Sequence, residues 1–452
     1  MEKTIQHTTA LLKEQEQKIR QAAAYALELA EKAGASAEVG VTKATGLSVS
    51  TRFQEIENLE FHNDGALGIS VYVGKQKGNS STSDLTPEAI RRSVEAALTI
   101  ARYTSADECA GLAPEELMEF NPPDLELYHP ADISVEQAVS LAKEAEQAAL
   151  NYDPKITNSE GGAFNEVRGI RVYGNTYGVL NSYLSSRYSI SCGVIASENG
   201  HLEREYDYNV SRYFDRLVSP AEIGRRSAEK AIKRLNPQKL TTRESPVIFL
   251  NDVATGLFSH LAGAISGGAL YRKSSFLLNH LGKKILPEWC DIIEKPRLLG
   301  GLASTAFDSE GVRTQDKQII QDGFLQSYLL TAYSARKLQM QSTGNAGGVY
   351  NWQIRANRQG GLEALLKEMD RGLLVTELMG QGVNLVTGDY SRGAAGFWVE
   401  NGQIQYPVSE ITIAGNVKQM FEQIVAISDD TELESSFMTG SVLLAQMKIS
   451  GN

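Results

Sequence analysis

The stretch GLFSHLAGAISGG, Gly256 to Gly268, follows the apolar run Val247-Ile248-Phe249-Leu250 and two helix-capping residue types, Asn251 and Asp252. This pattern predicts a buried strand that leads into a helix whose first turns carry a lone histidine, His260. A zinc peptidase needs nitrogen, sulfur or oxygen ligands on rigid elements, plus a carboxylate to take the proton from bound water. No Asp or Glu occurs between Val253 and Leu286. The six histidines (His7, His62, His129, His201, His260 and His280) never pair at i, i+3 or i, i+4. Spacing by itself therefore argues against a metal site here, and His260 reads as a packing residue. No GxSxG nucleophile elbow occurs either.

The chain has 452 residues, more than the ~250–300 at which a single core stops growing, so two or three domains are expected. With 42% hydrophobic and 22% charged residues it has an ordinary globular composition. A formal charge of -11 excludes nucleic-acid binding through a global positive field. Arg225-Arg226, Lys230, Lys233 and Arg234 cluster on one predicted helix, but Glu222 and Glu229 are interleaved, which describes a solvated face. Met1 to Gln17 is polar, so no signal peptide is expected, and no stretch approaches the ~20 apolar residues of a membrane span. Cys109, Cys192 and Cys290 are far apart and form no CxxC pair. Reduced, buried thiols and a cytoplasmic location are expected.

Three units are expected: residues 1–110, 111–235 and 236–452. In the first, small and apolar residues recur at helical spacing from Glu14 to Ala33, and strands are expected over Ala37–Thr51, Ile56–His62 and Ala66–Val73. Asn63-Asp64-Gly65 between the last two is a hairpin signal. Thr86-Pro87 then starts a helix with an Ile90, Val94, Ala97, Leu98, Ala101 stripe. In the second unit, Ser134 with Gln137 and Ser219 with Glu222 read as capping boxes that bracket strands between Ile156 and Tyr208. The two units form either separate α+β modules or one composite lobe. From Thr241 onward glycines are frequent, and Asp322-Gly323 and Asn401-Gly402 sit between strand-like runs. The fold class is α+β: an N-terminal lobe of helices bracketing antiparallel strands, then a large, mostly antiparallel β domain. The apolar runs Val375–Val386 and Gly396–Val408 are expected to form a subunit contact.

Two glycine-rich stretches offer chemistry. STGNAGG, Ser342–Gly348, is either a backbone N–H nest or a plain loop. TGDYSRGAAGFW, Thr387–Trp398, places Asp389, Tyr390 and Arg392 together as candidate peptide-binding groups. The alternative is a structural Asp389–Arg392 pair.

ATGLFSHLAGAISGGALYRKSSFLL, GLASTAFDSEGVRT, STGNAGG, VTELMGQGVN and TGDYSRGAAGFWVENGQIQYPVSEITIAGN closely resemble the TldD/PmbA family over nearly all of Thr241–Asn452. DLTPEAIRRSVEAAL supports the resemblance in the N-terminal half. The family's catalytic members carry an HExxxH zinc motif and a late cysteine ligand. Aligning Arg272-Lys273 with the family's Arg-Lys pair puts the first histidine at Ser259, the glutamate at His260 and the second histidine at Ala264. The cysteine falls at Thr439, between Met438 and Gly440. The resemblance therefore implies a subunit with no catalytic residue, metal or cofactor of its own. Zinc and the glutamate would belong to a TldD-type catalytic partner in a heterodimer that processes flexible or unfolded peptides, such as peptide precursors and an antitoxin. The alternatives are a metalloprotease active alone as a homodimer and a non-enzymatic regulator of another protein, of the gyrase-modulator kind. No direct nucleic-acid or membrane partner is implied. Positions five apart lie about 140° round an ideal helix. A retained ligand geometry at Ser259 and Ala264 therefore predicts a π-like turn.

Overall fold

The computed structural model describes residues 2–431 and 435–451, with side chains from residue 9 onward. The N-terminal lobe comprises α1 (Glu2–Lys32), β1 (Ser36–Arg52), β2 (Glu55–Val73), β3 (Gln76–Thr82), α2 (Pro87–Tyr103), α3 (Val135–Leu150), β4 (Ile156–Asn175), β5 (Leu180–Glu198), β6 (His201–Ser211) and α4 (Pro220–Lys233). All six strands form one antiparallel sheet in the order β3-β2-β1-β4-β5-β6. Strand β1 pairs with β4 from Glu38↔Asn175 to Thr51↔Gly162, so a single sheet runs through both N-terminal units. Helices α1 and α2 cover one end of one face, burying Ala23, Ala26, Val39, Ile69, Ile90 and Val94. Helices α3 and α4 cover the other end, over Leu47, Phe164, Ile190 and Val194.

Local signals explain most boundaries. The Thr86 side chain accepts from Ala89 N, and Pro87 opens α2. Ser134 and Gln137 form a reciprocal capping box. Ser219 also caps its helix, accepting from Glu222 N at 3.3 Å. The Glu222 carboxylate does not reach back, because Arg225 and Arg226 take it at 2.7 and 2.8 Å. The Asn63-Asp64-Gly65 turn is not formed. These residues pair with Thr45, Ala44 and Lys43 inside an unbroken β2, and the chain reverses at Phe53-Gln54, both at positive φ. Asn-Asp-Gly permits a turn without requiring one, and a turn there would forfeit pairing along the whole length of β1. The distal part of β2 leaves Ile56, Leu59 and Phe61 exposed, since β3 pairs only with Leu67–Val73.

The C-terminal domain runs through β7 (Arg243–Phe249), α5 (Asn251–Ala264), α6 (Gly267–Tyr271), β8 (Ile292–Glu294), β9 (Lys317–Gln321), β10 (Phe324–Leu325), α7 (Ala332–Lys337), β11 (Trp352–Ile354), α8 (Gly361–Met369), β12 (Gly372–Met379), β13 (Asp389–Glu400), β14 (Gln403–Asn416), α9 (Val417–Glu422), β15 (Ile424–Ile427), β16 (Phe437–Met438) and β17 (Val442–Ser450). One sheet has the order β14-β13-β12-β7-β17-β15, and β14 also pairs with β17, which closes five strands into a ring. Closure removes free edges. A second sheet, β10-β9-β8-β11-β16, packs beside it. Hairpins form at Asp322-Gly323 and Asn401-Gly402, all four residues at positive φ. Of the apolar runs expected to form a subunit contact, Val375, Trp398, Val399 and Val408 are buried within this chain's own core, whereas Met379, Val386 and Ile404 are exposed. Residues past Met379 leave the strand altogether. Among the described residues no helix is long and apolar enough to cross a membrane. Cys192 and Cys290 are buried, whereas Cys109 is partly exposed.

Candidate functional site

Strand β7 is the hydrophobic run Val247-Ile248-Phe249, fully buried between β12 and β17. It delivers the chain into α5. The N-cap position is Leu250, not Asn251 or Asp252. Asn251 instead anchors the helix start: its N–H donates to Ser441 Oγ at 3.1 Å, and its side-chain amide donates to Asp430 O at 2.8 Å. The buried face of α5 carries Ala254, Leu257, Phe258, Leu261 and Ala264.

The four family positions do not converge into a ligand set. Ser259 is exposed and donates to Gly256 O at 2.8 Å. His260 is half-buried, whereas Ala264 is fully buried. Thr439 is buried and donates to Gly440 O at 3.0 Å; it follows β16, which packs against α5. The expected π-like turn is absent: α5 is α-helical through Ala264, and Ile265 N donates to Leu261 O at 3.0 Å. A regular helix separates positions five apart by about 140°, which is why Ser259 faces solvent and Ala264 the core. A serine hydroxyl and an alanine methyl give a metal nothing to bridge, so nothing offsets the backbone hydrogen bond that a π-bulge distorts. The irregularity moves to Ser266, which caps α6 by accepting from Ala269 N.

The chemistry of these four positions does not fit zinc. They supply one imidazole, two hydroxyls and a methyl group, against the nitrogen, thiolate and carboxylate donors that zinc requires. Among the described residues no group of three or more His, Cys, Asp or Glu is arranged to hold a metal ion.

A second set of groups does gather at α5. Successive strand residues face opposite sides, so Tyr390 and Arg392 of β13 share one face while Asp389 takes the other. Asp389 is exposed and accepts from Thr387 Oγ1 at 2.7 Å; among the described residues it forms no ion pair with Arg392. The structural pair is therefore not made. The Tyr390 ring meets His260 edge-on, with centroids 6.2 Å apart and planes at 76°. Burial, then the positive charge of Arg392, lowers the His260 pKa. Burial raises the Tyr390 hydroxyl to about 12, and Arg392 opposes that rise. The Arg392 side chain lies close enough to this hydroxyl to favour its ionised form. Tyr390 Oη and Arg392 Nε are both buried with no hydrogen-bond partner.

The loop Ser342–Gly348 is no open nest. Ala346 N donates to Asp308 Oδ2 at 2.9 Å, and the Asn345 amide reaches both Glu294 oxygens at 3.0 Å. Buried Glu294 also takes Lys317 Nζ at 2.9 Å, Tyr350 N at 3.0 Å and Trp352 Nε1 at 3.2 Å. Sequence reading missed this network. Its one signal is a glutamate ending the apolar run Ile292-Ile293-Glu294. The basic cluster of α4 is matched by Glu222, Glu229 and Asp207, and Arg234 by Glu203, Glu205 and Glu377.

A helix-covered antiparallel sheet joined to a strand ring, with α5 laid against that ring, defines an α+β protein of two lobes. Family models match in three consecutive blocks: PmbA/TldA metallopeptidase domain 1 over residues 37–101, the central domain over 128–235 and the C-terminal domain over 242–451. The chain belongs to the PmbA/TldD family. It is 64% identical over 450 residues, spanning all of both chains, to the metalloprotease PmbA homolog of Haemophilus influenzae. It is 58% identical over 433 residues, 96% of each chain, to metalloprotease PmbA of Escherichia coli O157:H7. Among solved structures, a candidate modulator of DNA gyrase from Bacteroides thetaiotaomicron superposes with a TM-score of 0.90 at 27% identity, covering 96% of this chain and 98% of that one.

Proposed function

We propose that this chain is the non-catalytic subunit of a two-subunit metallopeptidase acting on flexible or unfolded peptides. In this reading a TldD-type partner supplies zinc and the glutamate base. One observation carries it: Ser259, His260 and Ala264 on the regular helix α5, with Thr439 after β16, stand where the resemblance puts the metal and base residues, and together they offer zinc no ligand set. The names of the PmbA relatives as metalloproteases favour a second reading, in which the chain is active by itself as a homodimer. The two separate in one experiment. The chain is purified alone and together with a TldD-type protein, dialysed, and assayed for zinc and for cleavage of an unstructured peptide. The expected outcome is co-purification, with zinc and activity only in the pair. One equivalent of tightly held zinc and full activity in the chain alone would establish the second reading.

A further inference from the structure

The corner formed by α5 and the start of β13 carries an unexplained cost. Tyr390 is 2% exposed, yet its hydroxyl completes no hydrogen bond of good geometry, with Arg392 beside it. Two residues on, Arg392 has a buried Nε–H, also without a partner. Among the described residues no carboxylate forms an ion pair with Arg392, and its sequence neighbour Asp389 turns to the opposite face. A buried polar group left unpaired costs ~1–3 kcal/mol, and native structures rarely leave two in one place unless something else satisfies them. His260 and Arg392 each keep part of their surface in solvent, while the Tyr390 hydroxyl and Arg392 Nε are shielded beneath them. The corner's outer wall is the loop after β12, held by Ser391 N to Gly382 O at 2.7 Å and Asn384 N to Asp389 O at 2.8 Å. Leu385 of that loop sits against Gly263, where an added Cβ would lie 3.0 Å from Leu385 Cδ1.

We propose that Arg392, Tyr390 and His260 form a binding site for a single peptide carboxylate, either a C-terminal one or that of an acidic side chain. The donors define the class. A guanidinium presents a planar fork matched to a carboxylate, and the Tyr390 hydroxyl supplies one further O–H. One fixed positive charge suits a monoanion better than a doubly charged phosphate. The His260 imidazole forms the wall beside Tyr390 and, when neutral, adds no second cation. The inference rests on the reading of this chain as a peptide-handling subunit. In that reading the site holds one anionic end of a peptide while another subunit performs the chemistry.

The test uses the full chain and calorimetric titration with a short Gly-Ser-Ala peptide in three forms: the free C-terminal acid, its C-terminal amide, and the amide with one internal glutamate. The free acid or the glutamate form should bind about tenfold or more tighter than the plain amide, the scale of one charge-assisted hydrogen bond. Whichever form gains identifies the source of the carboxylate. Arg392→Gln should erase the difference between the acid and amide forms. Tyr390→Phe, which retains the packed ring, should reduce it several-fold and serves as the second variant if Arg392→Gln unfolds. Equal affinities for all three peptides, no detectable binding by the folded chain, or an undiminished preference in both variants would overturn the proposal. These titrations do not depend on assembly. Loss of the preference with partner co-purification intact sinks this site alone, and the converse result sinks the subunit reading alone.

Discussion

Ser259 and Ala264 show how one helical turn decides chemistry. On the proposed correspondence, Ser259→His, His260→Glu, Ala264→His and Thr439→Cys together would restore a zinc-peptidase pattern. On the regular α5 helix, however, the two new histidines would point about 140° apart, one to solvent and one to the core. The quadruple variant, if folded, should therefore retain less than one equivalent of zinc after dialysis, as measured by elemental analysis. Stoichiometric retention would mean that α5 rearranges when ligands are present. Ala264 also has no spare room: it is fully buried, and its carbonyl accepts from Ser275 Oγ at 2.6 Å.

Among elements, glycine acts in opposite directions on two helices. On α4, a Cβ at Gly224 would lie 1.9 Å from Ala145 O and 3.0 Å from Ala149 N. The α3–α4 contact is thus a backbone-to-backbone approach lined by Ala138, Ala142, Ala145, Ala228 and Ala231. Gly224→Ala must push the helices apart, at a cost of ~1–3 kcal/mol or more, seen as a lower thermal midpoint. On α5, Gly256 meets nothing within 4 Å, so Gly256→Ala should raise stability by ~0.5–1 kcal/mol through helix propensity alone. A matched pair of thermal melts checks both signs. The positions of both helices were legible in the sequence, because caps and apolar spacing are local. The closeness of their contacts was not, since Gly224 and Gly256 look alike until a neighbouring backbone is placed.

Across the whole molecule, the two lobes are joined by arginines and acids. Arg336 donates to the Cys109, Gly111 and Leu112 carbonyls, Arg212 to Gly301 O at 3.0 Å and Leu302 O at 2.8 Å, and Arg297 meets Glu119 at 2.6 Å. At this junction Tyr173 Oη donates to Glu310 O at 2.7 Å and lies beside Glu38. Burial lifts the Glu310 carboxyl from 4.5 to about 7; Asp308 and Glu38 add to the rise, while Ala332 N–H and Lys77 oppose it. A carboxyl whose folded pKa is raised binds its proton more tightly when folded. Its contribution to stability is fully present below the unfolded value and is lost as pH rises through about 7. Glu310→Gln keeps an acceptor for Ala332 N–H and cannot ionise. The variant should match the parent near pH ~4 and exceed it near pH ~8. The gain should be at most a few kcal/mol, at ~1.4 kcal/mol per tenfold change in proton affinity, because Glu310 keeps part of its surface in solvent. Denaturant midpoints at the two pH values decide it; a parent that gains on the variant with rising pH would reverse the sign.

The sequence by itself determined what depends on a few consecutive residues. Thr86-Pro87 and Ser134 with Gln137 start helices, Asp322-Gly323 and Asn401-Gly402 turn hairpins, and the lone histidine of α5 is visible as a letter. Each is a matter of backbone dihedrals or side-chain chemistry within one or two turns of chain. Tertiary structure decided the rest. It ran β2 straight through Asn63-Asp64-Gly65, because a long β1 was there to pair with it. It closed β14 onto β17. It also brought His260 against Tyr390, from a part of the chain far away in sequence, with Arg392 beside them. Those outcomes depend on which distant partner is available to satisfy a strand edge or a buried donor, and no local pattern of residues encodes that.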